Sequence, residues 1–482
     1  MSEAMKQKVV RGGLWSLVEN VGSQSLTFVV FVVLARILEP AEFGLAALAS
    51  VFTALALIFS NQGLSDALVQ KEDLQPEHLD ATYWVNNAMA LLAAIICFVA
   101  APWVARVFGE PELAALLRVL CISFVFNALG LVHFAMLRRE LRFRSLAIRR
   151  LVSALIGGIV GLVMAWQGYG VWSLIMQQVV NSFVSMIFLI AGYRWHPRLQ
   201  FSRPHFVELF HFSSHTLGTN LMNFAMLRAD RLLIGFFLGK VSLGYYALAQ
   251  QLIGIMALVF VGSISGIAFP LLSRYTDAIK RQGVFTAALK VTCLVAFPAF
   301  CGLMLTAHVV VPAVFGQGWI PAVPLIQILA VTGFFYAVFY LVDALAMAGG
   351  RADWVFRVNL LNVTLYAIAF FIAVPFGVVA VAIAFVARGA LLSPARAFMA
   401  CKLLPEPLKV ARQAILKPLM ITVVMAAGLV ALQSFSRIPL TTTWWALILA
   451  GMLFYGMACL LFDRRFLFRE LRTLGGSLRA QS

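Results

Sequence analysis

Apolar runs of about twenty residues recur along this chain from residue 14 to residue 462, separated by short polar breaks. Such a run crosses the roughly 30 Å hydrocarbon layer of a membrane as an α-helix, in which the backbone satisfies its own hydrogen bonds. The composition agrees, because 62% of the 482 residues are hydrophobic, 12% are charged and the mean hydropathy is +0.93. The sequence therefore predicts an all-α membrane protein and excludes a water-soluble domain.

Breaks at turn residues and charge clusters predict about fourteen transmembrane helices. Their ranges are 13–38, 43–66, 81–107, 113–137, 147–167, 170–193, 208–238, 242–270, 286–309, 322–348, 354–375, 378–401, 414–434 and 443–462. Basic residues collect on one side of this arrangement, including the run Arg138, Arg139, Arg142, Arg144, Arg149 and Arg150. By the positive-inside rule, this pattern predicts a multi-pass inner-membrane protein with both termini cytoplasmic. The net charge of +17 is thereby explained without a nucleic-acid partner.

The predicted loops leave no room for a folded catalytic module. Those on the outer side cover residues 39–42, 109–112, 167–169, 239–242, 316–321 and 375–377. The six cysteines stand singly in apolar segments without a Cys-x-x-Cys pair, so metal or disulfide use is not expected. The sequence favours a carrier that is not an enzyme and needs no cofactor.

Shifting the sequence by 200 residues reveals an internal repeat. Leu38, Gly44 and Leu48 then align with Leu238, Gly244 and Leu248, and at an offset of 207 Gly170 meets Gly377. A duplication of six helices predicts two pseudo-symmetric six-helix lobes of the same orientation, followed by two C-terminal helices. The expected domains are residues 1–203, 204–405 and 406–482. A cavity between such lobes would support transport by alternating access.

Polar stripes run along two of the predicted helices. In the seventh helix, one face collects Ser213, Thr216, Asn220, Asn223 and Arg231, with Arg228 and Asp230 beside it. The first helix repeats this arrangement with Ser16, Asn20, Ser23, Gln24 and Thr27, and with Glu19 at the edge. Charged groups inside a membrane usually face water or a partner, so both stripes are expected to line the cavity.

Six polar residues are candidates for substrate binding: Arg228, Arg231, Arg388, Asn20, Asn220 and Asn223. Guanidinium groups suit phosphate oxygens, so the arginines would attract an anionic head group. The alternatives are a structural pair of Arg228 with Asp230, arginines that snorkel to the interface, and a buried pair of Arg388 with Asp343.

Three acidic residues, Asp230, Asp343 and Glu19, are candidates for coupling transport to a proton or sodium gradient. Asp343 and Glu19 lie towards the cytoplasmic ends of their helices and could instead be solvated. The sequence does not decide between the two ions.

Several segments resemble a known family. They are residues 12–15 (GGLW), 34–44 (LARILEPAEFG), 63–70 (GLSDALVQ), and 228–231 (RADR) followed by 243–249 (LGYYALA). They are similar to the polysaccharide transporters of the multidrug/oligosaccharidyl-lipid/polysaccharide (MOP) exporter superfamily, the O-antigen and exopolysaccharide flippases, especially colanic-acid exporters. The first half departs from the second in having Phe28 and Phe31 where the shift of 200 residues places Arg228 and Arg231.

The resemblance implies a flippase that carries undecaprenyl-pyrophosphate-linked oligosaccharide repeat units outward across the lipid bilayer for later polymerisation. It also implies a cationic central cavity, a groove for the lipid tail near the last two helices, and a polysaccharide polymerase and a chain-length regulator as partners. A multidrug exporter of the same superfamily is the first alternative, although cationic drugs call for acidic cavities. The further alternatives are a polysaccharide polymerase and a lipid scramblase.

Overall fold

The computed structural model describes residue 15 and residues 22–61, 63–71, 73–200, 202–275, 277–435 and 445–459. Within these ranges the protein is helical and contains no strand. Eleven helical stretches of the described chain are long and apolar enough to cross a membrane, and two shorter apolar helices accompany them. The prediction of an all-α, multi-span membrane protein is therefore confirmed.

The first half of the chain begins with the shorter apolar helix α1. The helices are α1 (Gly22–Ile37), α2 (Pro40–Asn61), α3 (Leu64–Gln70), α4 (Pro76–Phe108), α5 (Glu112–Arg139), α6 (Phe143–Trp166), α7 (Trp172–Gly192) and α8 (Arg203–Ala257). Helix α8 contains a break at Gly239, whose φ of 79° is readily available to glycine. The break falls between the predicted seventh and eighth helices.

The second half continues with helices that are interrupted by short π or 3₁₀ turns. They are α9 (Ser263–Arg274), α10 (Ala278–Phe315), α11 (Val323–Ala330), α12 (Thr332–Ala348), α13 (Ala352–Ala373), α14 (Val378–Leu403), α15 (Pro407–Ala411), α16 (Lys417–Phe435) and α17 (Trp445–Cys459). Helix lies in each predicted range, but a count of exactly fourteen spans remains a prediction.

Local sequence explains where the long helices begin and end. Helix α4 starts with a capping box between Gln75 and His78, has proline in its first turn, and ends at Gly109 with φ 67°. Helix α10 starts at Asp277, whose side chain accepts a hydrogen bond from the backbone N–H of Ile279 at 2.9 Å. These caps provide hydrogen-bond partners for backbone groups at the helix ends, which are costly to leave unpaired in an apolar membrane.

The described chain divides into two compact units, the N-terminal unit Met1–Ala247 and the C-terminal unit Leu248–Ser482. The N-terminal unit extends beyond residue 203 because polar contacts fasten the start of α8 to its first helices. Glu208 forms an ion pair with Lys71 and accepts a hydrogen bond from Nε2 of His78 at 3.3 Å. The predicted lobe boundary after residue 203 concerns the sequence repeat, and it stays a prediction.

Repeat-related glycines meet each other inside the N-terminal unit. A Cβ added to Gly44 would lie 1.8 Å from the carbonyl oxygen of Lys240, and one added to Gly244 would lie 1.8 Å from that of Pro40. Gly44 and Gly244 are 200 residues apart, as are Pro40 and Lys240, which is the offset of the sequence repeat. This reciprocal contact supports the duplication, and it requires glycine because any side chain would overlap the facing backbone.

Candidate functional site

A polar cavity lies inside the N-terminal unit, among helices α1, α6 and α7. Its volume is about 300 Å³. Nine described residues line it: Ser23, Gln24, Thr27, Arg149, Arg150, Ser153, Ala154, Asn181 and Ser185. Eight of these nine are polar, so the cavity differs from the apolar surroundings that a membrane helix normally has.

The α1 side of this cavity comes from the polar stripe that the sequence indicates. Ser23, Gln24 and Thr27 all line the cavity, as expected for residues on one helical face. The other members, Ser16, Glu19 and Asn20, lie outside the described residues. The proposed roles of Asn20 in substrate binding and Glu19 in ion coupling therefore stay predictions.

The α6 side contributes two adjacent arginines. Nη1 of Arg149 donates a hydrogen bond to Oγ of Ser185 on α7 at 3.2 Å, and its guanidinium lies 5.2 Å from the ring centroid of Phe134. A hydrogen bond and a cation–π contact together restrict the orientation of this guanidinium. Arg150 lines the same cavity.

Sequence reasoning missed Arg149 and Arg150 as site residues and assigned them to the basic run that orients the protein. A usable signal was present, because Arg149 and Ser153 stand four residues apart and so share a face of α6. The repeat offset of 207 residues pairs Asn181 with Arg388. The structure brings Asn181 to the cavity lining.

The charged segment of α8 contains Arg228, Asp230 and Arg231. Asp230 is buried, and its carboxylate accepts hydrogen bonds from the backbone N–H of Arg231 at 2.8 Å and from the Tyr246 hydroxyl at 3.0 Å. Tyr246 follows the Gly239 break, so this bond ties together the two parts of α8. The contacts favour a structural role for Asp230, and its role in ion coupling stays a prediction.

For the remaining α8 candidates, the structure shows at most how far each side chain is buried. Arg228, Arg231 and Asn220 are half-buried, and the side chain of Asn223 lies outside the described residues. Arg228 and Arg231 are three residues apart and thus neighbours on the helix surface. Substrate binding by any of these four residues stays a prediction.

In the C-terminal unit, the half-buried Asp343 forms an ion pair with the buried Arg396. Nε and Nη2 of Arg396 lie 3.3 Å from Oδ1 and Oδ2 of Asp343, and the guanidinium lies 4.5 Å from the ring centroid of Phe339. The alternative pairing of Asp343 with Arg388 is wrong. Asp343 and Arg396 lie near the C-terminal ends of α12 and α14, whereas Arg388 stands eight residues earlier, about 12 Å along the helix.

Arg388 lies between two aromatic rings of the C-terminal unit. Its guanidinium carbon is 4.6 Å from the ring centroid of Tyr366 and 4.3 Å from that of Phe385. Cation–π contacts of this kind compensate part of the cost of burying a charge. They account for an arginine here without a ligand, so substrate binding by Arg388 stays a prediction.

Two solved structures share the fold. The lipid II flippase MurJ, in an inward closed conformation, matches with a TM-score of 0.77 at 18% identity, over 94% of this chain and 99% of that chain. A multidrug resistance MATE family transporter of the MOP superfamily, in an inward-facing conformation, matches with a TM-score of 0.55 at 15% identity, over 81% and 96% of the two chains. These likenesses show that this chain has the same fold as the two proteins.

The sequence comparisons specify the family. The profile described as "Polysaccharide biosynthesis protein" matches residues 33–324, and this chain therefore belongs to that family. The succinoglycan biosynthesis transport protein ExoT of Rhizobium meliloti is 30% identical over 67% of this chain and 66% of its own length. The lipopolysaccharide biosynthesis protein WzxC of Escherichia coli is 27% identical over 75% and 74%. The predicted resemblance to polysaccharide transporters is confirmed.

Proposed function

We propose that this protein is a flippase, which moves undecaprenyl-pyrophosphate-linked polysaccharide repeat units from the cytoplasmic to the periplasmic face of a bacterial inner membrane. The observation that carries the proposal is the family match over residues 33–324 in a chain built of membrane-length helices. A relative named as a succinoglycan transport protein supports it. Such a carrier would act in exopolysaccharide or lipopolysaccharide biosynthesis, by alternating access and without chemistry of its own.

The two ends of an amphiphilic substrate need different surroundings, and the cavities of the described chain include both polar and apolar ones. The N-terminal unit holds the polar, arginine-containing cavity. The C-terminal unit holds an apolar groove of about 470 Å³ between α10 and the last helices, lined by Leu294, Val295, Leu429, Leu447 and Met452 among others. This groove supports the idea that an isoprenoid tail is accommodated near the last two helices.

A deletion strain tests the direction of transport and the step of polysaccharide biosynthesis at which the protein acts. Loss of the gene is expected to abolish surface polysaccharide while lipid-linked repeat units accumulate facing the cytoplasm. Accumulation on the periplasmic face would instead indicate a polymerase and would contradict the proposal.

Reporter fusions at both termini test the orientation, because alkaline phosphatase is active only outside the cytoplasm and both ends are proposed to lie inside.

Alanine variants test the predicted binding residues. Replacing Arg228, Arg231 or Arg388 should lower export at unchanged protein level, if their charge attracts the head group. Arg118→Ala is a matched control, because Arg118 is an exposed arginine that contacts the ring of Phe98. Full activity in all three variants would remove these residues from the proposal but leave the flippase function standing.

Energy coupling and partners complete the proposal. Asp343, Asp230 and Glu19 are the candidates for coupling to a proton or sodium gradient, and dissipating each gradient separately in vesicles would distinguish the two ions. A polysaccharide polymerase and a chain-length regulator are the proposed partners that act on the flipped product. Crosslinking in cells tests whether they associate with this protein.

A further inference from the structure

The polar cavity among α1, α6 and α7 stands out against a second cavity in the same unit. That second cavity has a volume of about 410 Å³, and its eleven described lining residues are all apolar. They include Phe52, Leu92 and Ile96. A polar lining is therefore not a general property of cavities in this bundle. Polar side chains that three otherwise apolar helices direct into one cavity mark a candidate binding site.

The chemistry of the lining selects the class of ligand. The guanidinium groups of Arg149 and Arg150 can only donate hydrogen bonds, and they carry positive charge at every physiological pH. Gln24 and Asn181 supply amide donors, and the hydroxyl groups of the serines and Thr27 can donate as well. A ligand that satisfies this set must offer several acceptor oxygens and negative charge, as phosphate esters do.

Helix α6 packs closely against α1 and α7 next to the cavity. A Cβ at Gly157 would lie 2.8 Å from the carbonyl oxygen of Gln177 on α7, and one at Gly158 would lie 2.7 Å from Cγ2 of Val30 on α1. These glycines follow Ser153 by about one helical turn, so α6 is in close contact with both neighbours directly beyond the cavity. Close packing of this kind fixes the distances between polar groups on the three helices, which pre-organises the site.

We propose that this cavity is an anion site for the diphosphate of a lipid-linked substrate, with Arg149 and Arg150 as binding residues. The inference rests on the proposed flippase function and assigns its head-group site to the N-terminal unit. A volume of about 300 Å³ lies at the lower end of small-molecule sites, which suits a diphosphate and its adjoining sugar. The remaining sugars of a repeat unit would lie outside the cavity.

Binding to the purified full-length protein in nanodiscs tests the site. The probes are undecaprenyl diphosphate, neutral undecaprenol and inorganic diphosphate, measured by calorimetry at two salt concentrations. The wild type is expected to bind the lipid diphosphate at least tenfold more tightly than undecaprenol, with weaker binding at higher salt. Arg149→Gln and Arg150→Gln should each raise the Kd for the lipid diphosphate about tenfold, because each removes a charge-assisted hydrogen bond.

Arg144→Gln is the matched control, because Arg144 is an exposed arginine of the same helix outside the cavity lining. It should leave the Kd within about twofold of wild type. Gln24→Glu guards against misfolding of the arginine variants, since it keeps the side-chain shape and adds a repelling negative charge. It should also weaken binding about tenfold, whereas undecaprenol binding should not change in any variant.

The outcomes separate this site from the flippase function. Unchanged lipid-diphosphate affinity in Arg149→Gln, Arg150→Gln and Gln24→Glu would overturn the site, even if the wild type still flips lipid in vesicles. Failure of the wild type to flip, with diphosphate binding that depends on Arg149 and Arg150, would overturn the flippase function but keep the anion site. Inorganic diphosphate binding as tightly as the lipid form, and displacing it, would overturn the lipid source in favour of a free anion.

Discussion

The two units use arginine in different ways. In the N-terminal unit, Arg149 and Arg150 reach a polar cavity that also collects serine, glutamine and asparagine side chains. In the C-terminal unit, Arg396 pairs with Asp343, and Arg388 packs between the rings of Tyr366 and Phe385. A shift of 207 residues aligns Asn181 with Arg388. Of these two aligned residues, Asn181 lines a cavity, whereas Arg388 packs against aromatic rings. Duplicated helices can thus keep their hydrophobic frame while their polar positions diverge.

The difference also appears in the larger cavities. The groove of the C-terminal unit is lined almost entirely by apolar side chains, with Thr306 and Tyr455 as its polar members. No charged side chain is among the described residues that line this groove. The N-terminal unit thus holds a polar cavity beside an apolar one, and the groove described in the C-terminal unit is apolar.

The largest effect is expected from breaking the ion pair between Asp343 and Arg396 in the C-terminal unit. Asp343→Ala should lower the free energy of unfolding by about 3–5 kcal/mol, because Arg396 is only 7% exposed and loses its neutralising carboxylate. The double variant Asp343→Leu with Arg396→Met should recover most of this loss. Thermal unfolding in detergent measures both. The control is Glu406→Ala, which breaks an exposed pair with Lys409 and should change the stability little.

The second effect tests the repeat symmetry within the N-terminal unit. Gly44→Ala and Gly244→Ala should each destabilise the protein by about 1–3 kcal/mol or more, because either Cβ would overlap a backbone carbonyl of the facing helix. The two losses should be similar, since the contact is reciprocal. Gly254→Ala is the control in α8, because a Cβ there meets no atom within 4 Å. Clearly unequal losses would argue against the symmetric contact.

A third, intermediate effect concerns the hydrogen bond between Tyr246 and Asp230, which joins the two parts of α8. Tyr246→Phe removes the hydroxyl group that donates to the buried Asp230 carboxylate. The expected loss is about 1–3 kcal/mol in the unfolding free energy, because a buried acceptor is left short of a donor. Tyr169→Phe, at an exposed tyrosine, should change stability little. Unchanged stability with lost transport would favour ion coupling by Asp230 instead.

The smallest effect concerns the exposed charges that fasten α8 to the N-terminal unit. Hydrogen bonds from Lys71 and then from His78 lower the pKa of Glu208 below its usual value of about 4.5. The resulting stability is present above pH 4.5 and is lost as the pH falls through the lowered pKa of the folded state. Glu208→Gln should remove this part of the acid sensitivity. Unfolding midpoints between pH 3 and pH 7 measure it, and an unchanged acid profile would contradict this account.

Much of the fold was predictable from local sequence. Apolar run length determines that helices span a membrane, and Gly109, Asp277 and Gly239 stand where helices end, begin or break. These features are readable because they depend on the hydropathy and conformational freedom of a few neighbouring residues. The polar stripe of α1 was predictable for the same reason, since its 100° spacing needs no knowledge of other helices.

By itself, the sequence determined an all-helical, multi-span membrane protein, and its motifs predicted the resemblance to polysaccharide transporters. The tertiary structure decided which polar groups meet: Asp343 binds Arg396 rather than Arg388, and Arg149 reaches a cavity rather than a loop. The physical reason is distance along and around a helix. Each residue advances 1.5 Å and turns 100°, so small differences in how neighbouring helices are set against each other change every long-range partner of a side chain.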